Sequence, residues 1–474
     1  MKTNHFDFRT LFCDTATPVP VLSGESLPYV NLDNAASTPP FLHVQETINH
    51  FLPYYSSVHR GTGFKSQLST HAYEAARETM LHFVGANPQT HICIFGKNTT
   101  EAINKLARRF PFTPKRNIVL ISQMEHHSND LPWRAVASVE HIRLLPDGRL
   151  DEDHYDELLK MYRGRVALVA ISGASNVTGY INPIHRLAEK AHNAGAQIMV
   201  DCAQLAPHRK LNMLPLDDPA HLDYIALSAH KMYAPFGSGA LIGRRDTFEQ
   251  GDPDLRGGGQ VEIVTTRQVV WSAPPEREEA GSPNTVGAVA MAAAAAQLEQ
   301  IGMDVVAAHE AELTAYALRQ LKSLSSVQIF GDDRPETAAQ RLGVIPINLP
   351  GLSHFLVAAI LGYEYGIGVR NGCFCAHPYL LHLLGFTDIE AEQIRRQMIS
   401  GDRRNAPGLV RISFGLYNTT SDIDRLMDAL QAILNGQYRG KYQQNPATGE
   451  FLPLGWQINY EQYFTFKPEG EKIQ

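Results

Sequence analysis

Short apolar runs alternate with amphipathic stretches through the middle of the chain. Arg165–Ser172 (RVALVAIS) is apolar and β-branched without a polar break, the pattern of a strand buried on both faces. Turn chemistry follows in Asn176–Pro183 (NVTGYINP), and Ile184–Ala194 then repeats apolar residues at helical spacing. Gln197–Val200, Leu222–Leu227, His91–Phe95 and Asn117–Ser122 read as further strands, and Ala102–Phe110 reads as a helix. Strand, helix and strand in this rhythm predict βαβ units and a mostly parallel sheet covered on both faces.

The Gly- and Pro-containing segment Gly251–Pro283 ends that alternation. An Ala-rich helix over Val286–Ile301 and a longer one around Val305–Leu324 come next, and residues 325–435 mix short strands with helices. The tail from Gln437 onward has no clear period and is expected to be an irregular arm on the surface. No internal repeat, heptad seam or charge block interrupts the chain. The division expected is an N-terminal arm (1–30), a large domain (31–300), a small α+β domain (301–436) and a tail (437–474).

Composition narrows the class. With 474 residues, 44% hydrophobic and 19% charged, the chain has the balance of an ordinary globular protein. Lys plus Arg is 42 against 49 for Asp plus Glu, a net charge of −7 that argues against broad electrostatic binding of nucleic acid. The longest wholly apolar stretch, Val286–Ala296, is too short to span a bilayer, so no membrane association is expected. The N-terminus lacks a continuous apolar region, and no secretory signal is expected. Five cysteines (Cys13, Cys93, Cys202, Cys373 and Cys375) are an odd, sparse set that suits free thiols in a reducing cytoplasm. The N-x-T tripeptides at Asn98, Asn176 and Asn418 are therefore not expected to carry glycans.

Ligands of an open parallel sheet bind beyond the carboxyl ends of its strands, and the informative residues sit there. Asn98–Glu101 (NTTE) follows one strand and opens a helix, offering a capping box and free N–H groups to a phosphate. His126, after the NIVLIS strand, suits stacking on a planar ligand or acid–base work, although a lone His is commonly structural. Asp201 ends QIMV with Gln204 just after it. A carboxylate there suits either a protonated heterocycle or a helix N-cap. Lys231 in Ser228–Lys231 (SAHK) is delivered by a strand into a cleft, where desolvation can make it an amine nucleophile. Each has a bland alternative taken singly. Together, an amine, an acid and phosphate donors on strand ends are what pyridoxal phosphate requires.

These stretches resemble the class V aminotransferase family of pyridoxal-phosphate enzymes, and within it the cysteine desulfurase/selenocysteine lyase branch. The resemblance rests on LDNAAST (32–38), HRGTGF (59–64), NTTEAIN (98–104), EHHSND (125–130), SNVTG (175–179), VDCAQLAPH (200–208), SAHKMYAPFGSGAL (228–241), GGGQ (257–260), AGSPNT (280–285) and VRNGCFCAHP (369–378), in family order from about residue 30 to 435. It implies the aspartate-aminotransferase-like α/β fold (fold type I) and a homodimer with shared active sites. Lys231 would carry the cofactor and shuttle the substrate's α-proton, Asp201 would hold the ring nitrogen, and Gln204 would contact the ring oxygen. His126 would stack on the ring and take part in proton transfer, with His127 structural. Thr99, Thr100, Ser228 and His230 would serve the phosphate, with Ser282 supplied by the other subunit. Asn176 and Arg370 would face an amino-acid substrate and Arg411 would pair with its carboxylate.

In the branch with an R-x-G-x-x-C motif the cysteine takes sulfur from the substrate. Arg370–Cys375 (RNGCFC) keeps that spacing, making Cys375 the candidate, its thiolate promoted by Arg370 or His377. Cys373 would either relay sulfur or, the reading preferred, do nothing, and the closely spaced pair is not expected to bind metal. The implied reaction converts L-cysteine, or selenocysteine, to alanine with a persulfide on Cys375 and passes the sulfur to an acceptor protein. A C–S β-lyase, an aminotransferase or an epimerase would use the same cofactor without the thiol. A silent binding protein would use neither. Two stretches depart from the family: an insertion between Cys375 and Arg411 that includes AEQIRRQMISGDRRNAPG, and the tail after residue 436.

Overall fold

The computed structural model describes residues 6–466. Helix α1 (Phe64–Phe83) precedes a seven-stranded sheet of β1 (His91–Gly96), β2 (Ile118–Ser122), β3 (Ser138–Ile142), β4 (Val166–Ser172), β5 (Gln197–Asp201), β6 (Tyr224–Ser228) and β7 (Gly239–Arg244). The spatial order is β1-β7-β6-β5-β4-β2-β3. Strands β2 to β6 pair in parallel, as the alternating pattern predicts, whereas β7 runs antiparallel to both β1 and β6. That reversal follows from the short connection after β6, which turns at Gly237 with φ +69° and leaves no room for a crossover helix.

Period-two alternation assigns the two faces. Ile92 and Ile94, Val119 and Ile121, and Leu168 and Ala170 enter one core, while Cys93 and Phe95, Ile118 and Leu120, and Val169 and Ile171 enter the other. Helix α2 (Thr99–Arg109) covers the first face; α3 (Ile184–Asn193) and the Ala-rich α4 (Thr285–Ile301) pack on the second, where α4 lies against α1. Gly302, at φ +91°, ends α4 and starts α5 (Met303–Ser323) with a bend of 78°. Among the described residues no single helix is long and apolar enough to cross a membrane.

A smaller antiparallel sheet holds β8 (Gln328–Ile329), β9 (Val344–Asn348), β10 (Arg370–Gly372) and β11 (Leu409–Ser413), in the order β8-β9-β11-β10. Helices α5, α6 (His354–Tyr365) and α8 (Thr420–Leu434) close a second core over it. Val30 and Leu32 belong to this second core, and Val30–Asn31 pairs in parallel with Ile367–Gly368. The segment carrying LDNAAST thus crosses from the small sheet toward the large one. Within the insertion, α7 (Asp388–Ile399) begins with a Thr387–Glu390 capping box yet buries none of its residues. The tail departs from the irregular arm expected of it: Tyr442–Gln444 and Phe451–Pro453 form a hairpin, because Asn445 closes the turn with Glu450 and Gly449 supplies φ +80°.

Candidate active site

The ends of five strands of the large sheet (β1, β2, β4, β5 and β6) converge with Arg370, Phe374, Cys375 and Arg411 of the small domain on a cleft of about 310 Å³. Thr99, Thr100, His126, Asn176, Asp201, Gln204, Ser228, His230, Lys231, Arg370, Cys375 and Arg411 all line it. Ser282 does not. It lines a separate hollow with Glu101, Lys105, Glu278 and Asn284.

The helix end comes first in the chain. Asn98 caps α2 by accepting from Glu101 N at 3.0 Å, but the Glu101 carboxylate turns to Lys97 N, so the capping box forms only in half. Gly239 on β7 permits the close approach behind it, since a Cβ there would lie 2.5 Å from Asn98 Cα and 2.6 Å from Leu227 O. Ser228, at the end of β6, consequently meets the helix start: its Oγ accepts from Thr99 N at 2.9 Å and donates to Thr99 Oγ1 at 2.8 Å. Thr100 Oγ1 and Ser128 Oγ lie 2.7 Å apart. This cluster of hydroxyls on a helix N-terminus suits a phosphate.

His126 caps a short turn after β2, its Nδ1 accepting from Ser128 N at 3.1 Å, which places the proton of the neutral ring on Nε2. Burial, then repulsion from Lys231, pushes its imidazole down to about 3. His230 is pushed down to about 4 for the same two reasons, so both rings are neutral at physiological pH. Asp201 is buried at the end of β5, where desolvation raises its carboxyl although Ala203 N donates to Oδ1 at 2.9 Å. Burial also brings the Lys231 ammonium down to about 8, against the attraction of Asp201. Gln204 Nε2 donates to Ala35 O at 2.7 Å, tying the LDNAAST loop to the cleft wall.

On the small-domain side, Arg411 rises from the buried strand β11. Its Nη1 donates to Asn176 O at 2.9 Å, its Nη2 to Asp33 Oδ1 at 3.0 Å, and its buried Nε has no partner among the described residues. Arg370 holds the other Asp33 oxygen at 3.1 Å. Between them runs the cysteine loop, with Phe374 at φ +53° and Cys375 at φ +54°, two consecutive non-glycine residues in the left-handed region. Asn176 Nδ2 donates to Phe374 O at 2.8 Å and His127 N to Cys375 O at 2.7 Å, which holds that conformation from the large-domain side.

Cys375 is exposed to the cleft, whereas Cys373 packs against the main core and lines none of it. Of the two groups expected near the Cys375 sulfur, Arg370 lines the same cleft and His377 does not. Arg370 is engaged with Asp33, and the His377 ring stacks on His127 with centroids 5.0 Å apart and Nδ1 at 3.2 Å from His127 Nε2. Lys231 and Arg411 line the same cleft as Cys375.

Four residues the sequence reading did not single out belong to the assembly. Asp33 bridges both arginines, Ser128 joins Thr100 to His126, and Phe374 lies under the Arg411 guanidinium at 5.0 Å. Glu125 is buried behind His126, accepting from Ser122 and Ser172 hydroxyls and from Asn129. All four lie inside the quoted motifs, which was the available signal; their contacts across the chain, such as Asp33 to Arg411 and Ser128 to Thr100, were not visible there. The donor set fits pyridoxal phosphate: hydroxyls on a helix N-terminus, a lysine amine with a lowered proton affinity, and a buried carboxylate whose charge calls for a cationic partner.

The model of the aminotransferase class-V family matches residues 30–426. A cysteine desulfurase from Haloferax volcanii is 33% identical over 86% of this chain and 90% of its own length, and one from Dickeya dadantii is 34% identical over 87% and 93%. The apo structure of a cysteine desulfurase from Thermococcus onnurineus superposes with a TM-score of 0.74 at 30% identity, covering 86% of this chain and 95% of the other. An Escherichia coli cysteine desulfurase in its S-sulfonic acid form gives 0.70 at 30% identity, covering 86% and 95%. On the length of the match and the family order of its site residues, the chain belongs to the class-V aminotransferase family of pyridoxal-phosphate enzymes.

Proposed function

We propose that this protein is a cysteine desulfurase in which Cys375 takes the sulfur of L-cysteine, leaving alanine. The observation that carries the reading is that one cleft presents the Lys231 amine, the Asp201 carboxylate and the exposed Cys375 thiol together. Bound pyridoxal phosphate supplies an electron sink for the substrate's α-carbon. Thr99, Thr100, Ser228 and His230 would hold its phosphate, Asp201 its ring nitrogen, Gln204 its ring oxygen and His126 its ring face. Arg411 would orient the substrate carboxylate with the donor it has to spare, and Asn176 keeps that arginine and the cysteine loop in fixed relation.

Lys231 Nζ, with its ammonium lowered to about 8, gives and takes a proton readily near neutrality and serves to move the α-proton. The Cys375 thiolate attacks the substrate sulfur. The Cβ–S bond breaks, its electron pair stays with Cβ, and Cβ takes a proton to become the methyl group of alanine. Cys375 is left as a persulfide, and Lys231 and Arg411 provide the positive field for the attacking thiolate. A thiol reductant or an acceptor protein then removes the sulfur. The position of Ser282 outside its own cleft suits a homodimer in which it serves the neighbouring site, and five unpaired cysteines suit the cytoplasm.

The test is to give cofactor-loaded protein L-cysteine and a thiol reductant and to quantify alanine against pyruvate. Alanine and sulfide, abolished by Cys375→Ser and kept by Cys373→Ser, are the expected result. Pyruvate and ammonia indifferent to Cys375→Ser would make the protein a β-lyase.

A further inference from the structure

The two stretches that depart from the family meet each other beside the cysteine loop. The family match ends at residue 426, before the tail. The tail hairpin is moored to α6 through Glu364, whose carboxylate accepts from Arg439 N at 2.8 Å, Gly440 N at 3.0 Å and Tyr442 Oη at 2.8 Å. From that mooring the hairpin grips the end of the insertion. Pro446 O accepts from Arg403 N at 2.8 Å, and Gln444 Nε2 donates to Arg404 O at 3.0 Å. Gly449 packs so tightly here that a Cβ would lie 2.5 Å from the Phe355 ring and 2.8 Å from Arg403 O. Helix α7 has no fully buried residue, so its packing alone anchors the insertion only loosely.

The gripped end in turn touches the strand that delivers the cysteine. Buried His354 donates from Nε2 to Ala406 O at 3.0 Å and accepts at Nδ1 from Asn371 Nδ2 at 3.2 Å. A Cβ on Gly408 would lie 2.5 Å from His354 Nε2 and 2.7 Å from Gly372 Cα. Gly372, at φ +107°, opens the run that continues into left-handed Phe374 and Cys375. Those conformations cost energy and persist only when held from outside. Asn176 and His127 hold the far side of the run; His354 and Gly408 hold the near side.

We propose that the C-terminal hairpin is a positioning element for Cys375: moored on Glu364, it fixes residues 403–408, and through His354 and Asn371 it fixes the strand carrying the cysteine. His354 is accordingly a positioning residue. The functional consequence rests on Cys375 being the sulfur nucleophile; the mechanical link does not.

The experiment uses the full-length holoenzyme as wild type, Glu364→Ala, His354→Leu and His354→Gln, with Cys375→Ser as reference. Three quantities are read: the cofactor absorbance response to L-cysteine, the single-turnover rate of alanine formation without reductant, and hydrogen exchange of the amides of residues 371–377. In Glu364→Ala and His354→Leu, exchange in 371–377 is expected to quicken and alanine formation to slow about tenfold, with the absorbance response changed by less than about twofold. His354→Gln, which keeps a donor and an acceptor, should recover most of the rate. A merely destabilised protein would lose the absorbance response in parallel, and that result overturns the proposal. So does exchange in 371–377 that stays at the wild-type rate while the hairpin's own amides exchange faster. Should Cys375→Ser make alanine as fast as wild type, the nucleophile reading fails, and the exchange data still decide the link.

Discussion

Replacing Arg411 with lysine is expected to raise the KM for L-cysteine about ten- to a hundredfold. The guanidinium is fixed by two donors, one to Asn176 O and one to Asp33, while its buried Nε has no partner among the described residues. Lysine retains the charge but brings a single nitrogen to three tasks, so the substrate carboxylate loses a directional partner. A hydrogen bond to a charged group is worth about 1.5–3 kcal/mol, and about 1.4 kcal/mol is tenfold, which sets the range. Arg370 is the internal comparison. Its side chain is 53% exposed, and an exposed pair of this kind contributes about 0–1 kcal/mol, so Arg370→Ala should raise KM less than about fivefold. The assay is the initial rate of alanine production over a range of L-cysteine concentrations with reductant in excess, separating KM from kcat. The reasoning is refuted if Arg411→Lys leaves KM within about twofold of wild type, or if Arg370→Ala has the larger effect.

Glu279 accepts from Phe95 N, Tyr73 Oη and both terminal nitrogens of buried Arg77; its removal leaves that arginine only the more exposed Glu74 at 3.2 Å as a counter-charge, and Glu279→Ala should cost about 3 kcal/mol in denaturant unfolding, the low end for a broken buried pair. A loss under about 1 kcal/mol would contradict this account of the network. His192 is pressed down by burial but held up more strongly by Asp223 and the Pro219 carbonyl, so its folded value lies above the ordinary 6.5. Its contribution is therefore full below that value and fades as pH rises through the folded one: His192→Gln should destabilise near pH 6 and much less near pH 9, and equal losses would exclude the linkage. Burial lifts the Glu125 carboxyl to about 7 against its three hydrogen bonds, so the folded state binds the extra proton and stability falls as pH rises from about 4.5 to 7. Relative to wild type, Glu125→Gln should gain on the order of 1–3 kcal/mol between about pH 5 and pH 8, and a parallel stability profile would refute the buried neutral acid.

Much of the large domain was legible because its strands are short and apolar on both faces, and the connections of β2 to β6 are long enough for crossovers. β7 was hidden, since GSGAL reads as a turn until β1 and β6 are seen to need a strand between them. The tail hairpin was hidden for another reason: its strands have three residues each, too few for a period to show.

What the sequence determines by itself is the chemical inventory at the strand ends. Lys231, Asp201, His126, the Thr99–Thr100 pair and the R-x-G-x-x-C spacing at Cys375 are local patterns, each readable within a few residues. Only the tertiary structure decides which charges face which groups. Asp33 and Arg411 lie 378 positions apart, and Asn176 and Phe374 lie 198 apart, so no local pattern announces either contact. Arg370 and His377, close to Cys375 in sequence, are engaged by Asp33 and His127 in the folded chain, while Lys231 and Arg411, distant in sequence, line the same cleft as the thiol. Electrostatic and hydrogen-bonding partners are set by distance in space, and over such separations in sequence only the folded chain, which brings the ends of the large sheet to the small one, defines it.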